Sequence, residues 1–158
     1  MTVRIAHPNP HGILSEEALI KFENRFGLQL PPDYREFLLD FNGGRPVPSF
    51  FWIKAKENGS HVDRFYGVFS PKLAASLETY LGLDRHGIPS TIIPVGDDGA
   101  GDFICLALGL GWVQFGSIYF LDHGLHPVDA PDSSKGITLL ARSFTDFLSA
   151  LQSPPRPK

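Results

Sequence analysis

The sequence predicts a single α+β domain: a mostly antiparallel central sheet of about six strands, with an N-terminal helix pair, a middle helix and a C-terminal helix packed on it. Three observations predict this. Helical apolar periodicity lies near both ends of the 158-residue chain, short aromatic and β-branched runs crowd its middle, and no repeat or linker divides it. A chain this long buries enough surface to fold without cross-links. Hydrophobic residues make up 42%, including 13 Phe, which supplies a packed core and argues against disorder. The 16 Gly and 14 Pro add many loops.

The elements follow in order. Residues 1–13 form an extended N-terminal segment. Ser15 is a suitable N-cap, Glu16 and Glu17 favour the positive end of the helix dipole, and Leu19, Phe22 and Phe26 share one face before Gly27. Pro31 and Pro32 start a second helix with Tyr34, Phe37, Leu38 and Phe41 as its stripe, and Asn42-Gly43-Gly44 stops it. Residues 50–55 and 62–69 read as strands flanking Asn58-Gly59, a hairpin signal. Ser70-Pro71 opens the middle helix, whose apolar face is Leu73, Leu77, Tyr80 and Leu81. Strands follow at 91–95, 103–108 and 117–121. Ser143 caps the last helix, with Asp146 three residues on and Phe144, Phe147, Leu148 and Leu151 on one side. Residues 153–158, with three prolines, form a frayed tail.

The composition excludes several function classes. The single cysteine, Cys105, rules out an intrachain disulfide and a Cys-based zinc cage. The first residues lack the apolar run of a signal peptide, and no stretch is long and apolar enough to span a membrane, so the expected location is the cytoplasm. Net charge is −3, but residues 86–134 hold six aspartates and no Lys or Arg, so the rest of the chain carries +3. Such asymmetry points to a charged partner, and its sign is wrong for nucleic acid. There is no Gly-x-Ser-x-Gly elbow, dinucleotide fingerprint or phosphate-binding loop. Cys105 reads as a small core residue. No catalytic residue, cofactor or metal is expected.

The candidate partner-binding residues are Asp97, Asp98, Asp102, Asp122, His123 and Trp112. Each has two readings. Asp97, Asp98 and Asp102 in their Gly-rich turn form either an acidic patch for a basic partner or ordinary turn chemistry. Asp122 and His123, with His126 and Asp129, could be drawn as a metal site, but two His three apart in a Gly- and Pro-containing loop are not held on one helix face. Solvated or capping histidines are the plainer reading. Trp112 is either an interface anchor or core, with Gly109 and Gly111 favouring a loop or edge.

Three stretches carry a family resemblance. In the first, Phe22-Glu23, Phe26-Gly27, Leu30-Pro31, Asp33-Tyr34-Arg35 and Asn42-Gly43-Gly44 build the helix pair. The second holds Ile93-Pro94-Val95-Gly96, then residues 101–106 and 116–120, and Asp122-His123. The third is Ser143-Phe144-Thr145-Asp146-Phe147-Leu148. In this serial order, over residues 14–152, the chain resembles the SUKH superfamily of fungal Smi/Knr cell-wall regulators and bacterial toxin-immunity proteins. It departs at Ala107 and residues 109–116, where a more polar turn is usual, and at Leu121, where a Trp often precedes the Asp-His pair. The resemblance implies a non-catalytic protein-binding module. Its leading form is an immunity protein that occludes a basic toxin domain, such as a nuclease, with an acidic surface. The alternative is a regulatory or scaffold module of the fungal kind, and a remote one is a small metal-dependent hydrolase.

Overall fold

The structure is a computed structural model that describes residues 3–82, 87–109 and 113–157. Helix α1 spans Glu16–Phe26, capped by Ser15, whose hydroxyl accepts the Ala18 N–H at 3.1 Å. Gly27 ends it in the left-handed conformation. Helix α2 spans Pro32–Phe41. Arg35 ties the pair together, donating from Nε to Glu23 (2.9 Å) and from Nη2 to Glu16 (2.7 Å) on α1. Asn42 ends α2 with a positive φ of 45°. Its buried amide then holds three backbone groups: it donates to the Gly12 and Val68 carbonyls and accepts the Val68 N–H.

The strands of the described residues form three antiparallel sheets. β1 (Arg4–Ala6) pairs with β2 (Arg45–Val47), and β3 (Phe50–Ile53) with β4 (Asn58–His61). The central sheet is a meander of five strands side by side in chain order: β5 (Arg64–Phe65), β6 (Ile92–Asp97), β7 (Phe103–Ala107), β8 (Ile118–Leu121) and β9 (Ile137–Ala141). Both of its faces are covered. Ile93, Val95, Ile104, Leu106, Ile118 and Phe120 join the main core, while Ile92, Cys105, Ala107, Tyr119 and Leu121 join a second, smaller cluster on the opposite face. This explains why β6 reads as a continuous apolar run rather than an alternating one.

Helix α4 (Phe144–Ala150) starts at Ser143, which accepts the Asp146 N–H at 3.0 Å. Its rings knit the layers together. Phe144 lies 4.9 Å from Phe37 and 5.5 Å from Phe65, and Phe147 lies 5.5 Å from Phe51, measured between ring centroids. Tilted and edge-on pairs of this kind dominate the core.

Three expectations need correction. Asn58-Gly59 is not the hairpin turn; both residues lie in β4, and the turn is a 3-10 segment, Lys54–Lys56, closed by Glu57 at φ 51°. Gly59 is required there for another reason, since a Cβ would meet the Phe51 carbonyl oxygen at 2.6 Å. The middle helix is shorter than its apolar face implies: a 3-10 turn at Leu73–Ala75 precedes α3 (Leu77–Leu81). The third concerns strand assignment: the expected antiparallel central sheet is present, and one of its five strands, β9, is absent from the sequence reading. Ile137–Ala141 became a strand by pairing with β8.

Candidate functional site

Antiparallel register brings four of the aspartates to one end of the central sheet. Arg64 pairs with Asp97, Asp97 with Phe103, and Phe103 with Leu121. The β6–β7 turn therefore lies beside the C-terminal end of β8, and Asp122 and His123 arrive next to Asp102 although 20 residues separate them. Asp129 and Asp132 sit apart in the exposed 127–134 loop.

The four carboxylates are already occupied. Asp97, 8% exposed, accepts from Arg64 Nε (3.0 Å), the Tyr66 hydroxyl (2.8 Å) and the Gly99 N–H (3.1 Å). Asp98, 6% exposed, accepts the Ala100 N–H (2.8 Å), the Asp102 N–H (3.1 Å) and the Ser60 hydroxyl (3.3 Å). These two residues are turn builders, which corrects the expectation of an open acidic patch at their positions: buried and bonded carboxylates offer a partner little surface. Burial chiefly, with the bond to Asp97 among the lesser causes, pushes the Tyr66 phenol well above its usual range.

Asp102 and Asp122 form the rim. Asp102 Oδ1 accepts the His123 N–H (3.0 Å) and lies 2.6 Å from His123 Nδ1, and this bond raises the His123 pKa. Asp122 binds Lys56 Nζ at 2.7 Å and the Gly124 N–H at 2.9 Å. The Lys56 bond outweighs burial and holds the Asp122 carboxyl below the usual carboxylate range. Ligand atoms of Asp102, Asp122 and His123 lie within 4.8 Å of one another, the spacing of a cation site. Lys56, however, already brings positive charge to Asp122, and Asp102 is already bonded to the His123 ring. His126 takes no part: it is buried, with Nδ1 2.9 Å from the Lys135 carbonyl and Nε2 3.0 Å from the Gly87 carbonyl. It clamps a loop. Trp112 lies outside the described residues.

A second acidic surface went unread in the sequence. A groove of about 420 Å³ runs between α2 and α4. Its floor is apolar, made by Val3, Phe37, Phe41, Phe144 and Leu148, and Asp33, Glu36 and Asp40 line its α2 side. Asp33 is engaged by the Thr145 N–H and hydroxyl of α4 (3.0 and 3.1 Å). Glu36 and Asp40 are exposed, and their carboxylates have no partner among the described residues. The signal was present: positions i, i+3 and i+7 of α2 form one column beside the apolar stripe. Counting charge by stretch of sequence concealed it.

The SMI1 / KNR4 family (SUKH-1) profile matches residues 13–150. The chain is also similar to the SPbeta prophage-derived uncharacterized protein YokK of Bacillus subtilis (strain 168). The two are 28% identical over 163 residues, covering 90% of this chain and 77% of that protein.

Proposed function

Because the chain belongs to the SMI1 / KNR4 family (SUKH-1), a membership that supports a protein-interaction or immunity-type role, we propose that it is a non-catalytic immunity protein. In this reading it binds a basic toxin domain in the cytoplasm and occludes it. Among the described residues no helix is long and apolar enough to cross a membrane, which is compatible with that setting. The observation that carries the acidic part of this reading is the α2–α4 groove, where Glu36 and Asp40 stand unpaired over an apolar floor. An apolar centre with a charged rim is how protein interfaces combine affinity with steering. Asp102, Asp122 and His123 at the sheet end contribute a weaker rim, because each already has a partner.

The test is association with the polypeptide encoded beside this gene, followed by protection of cells expressing that polypeptide. Glu36→Lys with Asp40→Lys should slow association about tenfold or more at low salt and flatten its salt dependence, with thermal stability unchanged. Absence of binding by the unaltered protein sinks the toxin reading. Binding indifferent to the double variant removes the groove from it.

A further inference from the structure

Residues 7–12 fold back across the start of β2 and the edge strand β5, and with the 3-10 turn at 73–75 they enclose a pocket of about 220 Å³. Among the described residues, every charged or ionisable side chain lining it is basic: Arg45, Arg64, Lys72, His7 and His11. Pro10, Phe65 and Ala75 give it an apolar wall. The cations are held but not consumed. Arg64 is gripped from behind at Nε by Asp97 (3.0 Å), and its terminal nitrogens have no hydrogen bond to any described residue. Arg45 Nη2 lies 3.7 Å from Asp63, beyond hydrogen-bond length. Lys72 Nζ has no ion-pair partner among the described residues. His11 is oriented by Ser70, whose hydroxyl lies 2.9 Å from Nδ1.

Two arginines and a lysine lining one small space, each with N–H groups left over, suit a tetrahedral oxyanion. A carboxylate presents only two oxygens to these three donor groups, whereas a phosphoryl group presents three and carries a second charge. The pocket is also roomier than a bare oxyanion requires, and the exposed Pro10 borders it. We propose that this pocket binds a small phosphomonoester, with Arg45, Arg64 and Lys72 on the phosphoryl oxygens and the organic group against the apolar wall. The site is separate from the α2–α4 groove and stands or falls independently of toxin binding.

The pocket contains its own reporter. Burial lowers the His11 pKa, Glu78 opposes that, and Lys72 and Arg64 add to the lowering. His7 is the other titratable group beside it. A bound dianion offsets the Lys72 and Arg64 charges, so the His11 pKa must rise. The experiment is an NMR titration of the isolated protein with phenyl phosphate and, separately, inorganic phosphate, at constant ionic strength set by chloride. Expected are saturable shifts at the amides of Gly44, Lys72 and Ala75, an upward shift of the His11 titration, and tighter binding of the ester. Lys72→Ala should weaken binding about tenfold, the loss of one charge-assisted bond, with unfolding midpoint unchanged because Lys72 is exposed. Shifts that fail to saturate, that survive Lys72→Ala undiminished, or that leave His11 unmoved overturn the site. Equal affinity for both probes overturns the assignment to an ester.

Discussion

His123 shows how a single side chain couples two distant turns to pH. Its bond to Asp102 raises its pKa above the ordinary 6.5, with Asp122 and Asp98 adding to the rise. A group whose folded pKa is raised contributes stability below its unfolded pKa and loses it as pH climbs through the folded value. The link between the β6–β7 turn and the end of β8 is therefore strongest below about pH 6.5 and fades above the raised value. The ring is 60% exposed, so solvent screens the pair to under ~1 kcal/mol. Asp102→Asn should lower the His123 pKa most of the way back toward 6.5 in a proton NMR titration, at little cost to the unfolding midpoint. An unchanged titration would assign the shift to the other carboxylates. Asp122 runs the other way: its bond to Lys56 contributes above the ordinary carboxylate pKa and is lost as pH falls through the lowered one. The candidate residues were legible as residue types, but their freedom to bind was not. Whether an aspartate offers its charge or spends it on a Gly-rich turn depends on which N–H groups the turn aims at it.

Among the elements, the helices were the most legible, because their start and stop signals are local. Ser15, Gly27, Ser143 and the Pro31-Pro32 step each perform the terminal role their chemistry implies. Ser143→Ala should cost about 1 kcal/mol in a denaturant titration, since its hydroxyl is what accepts the Asp146 N–H at the head of α4. A neutral outcome would mean that Phe144 and Phe147 hold the helix without its cap. The strands were less legible for the matching reason: their partners lie elsewhere in the chain. Ile137–Ala141 is a short apolar and β-branched run that becomes a strand because β8 offers it an edge. Asn58-Gly59 carries a turn signal, yet the turn forms at residues 54–57 once Gly59 is drawn against the Phe51 carbonyl. Packing overrode a dipeptide preference.

For the molecule as a whole, the meander decides which parts are rigid and which charges meet. β6, β7 and β8 are the inner strands, covered on both faces, while β5 and β9 lie at the edges. Amide exchange should be slowest in Ile92–Asp97, Phe103–Ala107 and Ile118–Leu121, and faster in β1, β2 and α3, as a hydrogen-exchange time course would show. Slowest exchange in α1 or α2 would place the stable nucleus in the helix layer. The same topology moves the acidic surface. The sequence placed it in the cation-poor stretch 86–134, but folding brings Lys56 and Arg64 to that stretch from outside, engages four of its six aspartates, and leaves Glu36 and Asp40 unpaired on α2. By itself the sequence determined the α+β class, the ends of α1, α2 and α4, the family and the absence of a long apolar span, because those follow from local periodicity and serial order. Only the tertiary structure decided which carboxylates are free, where basic groups converge on a pocket, and which face is open to a partner. Those are properties of neighbours in space, and the chain assembles them from residues dozens of positions apart.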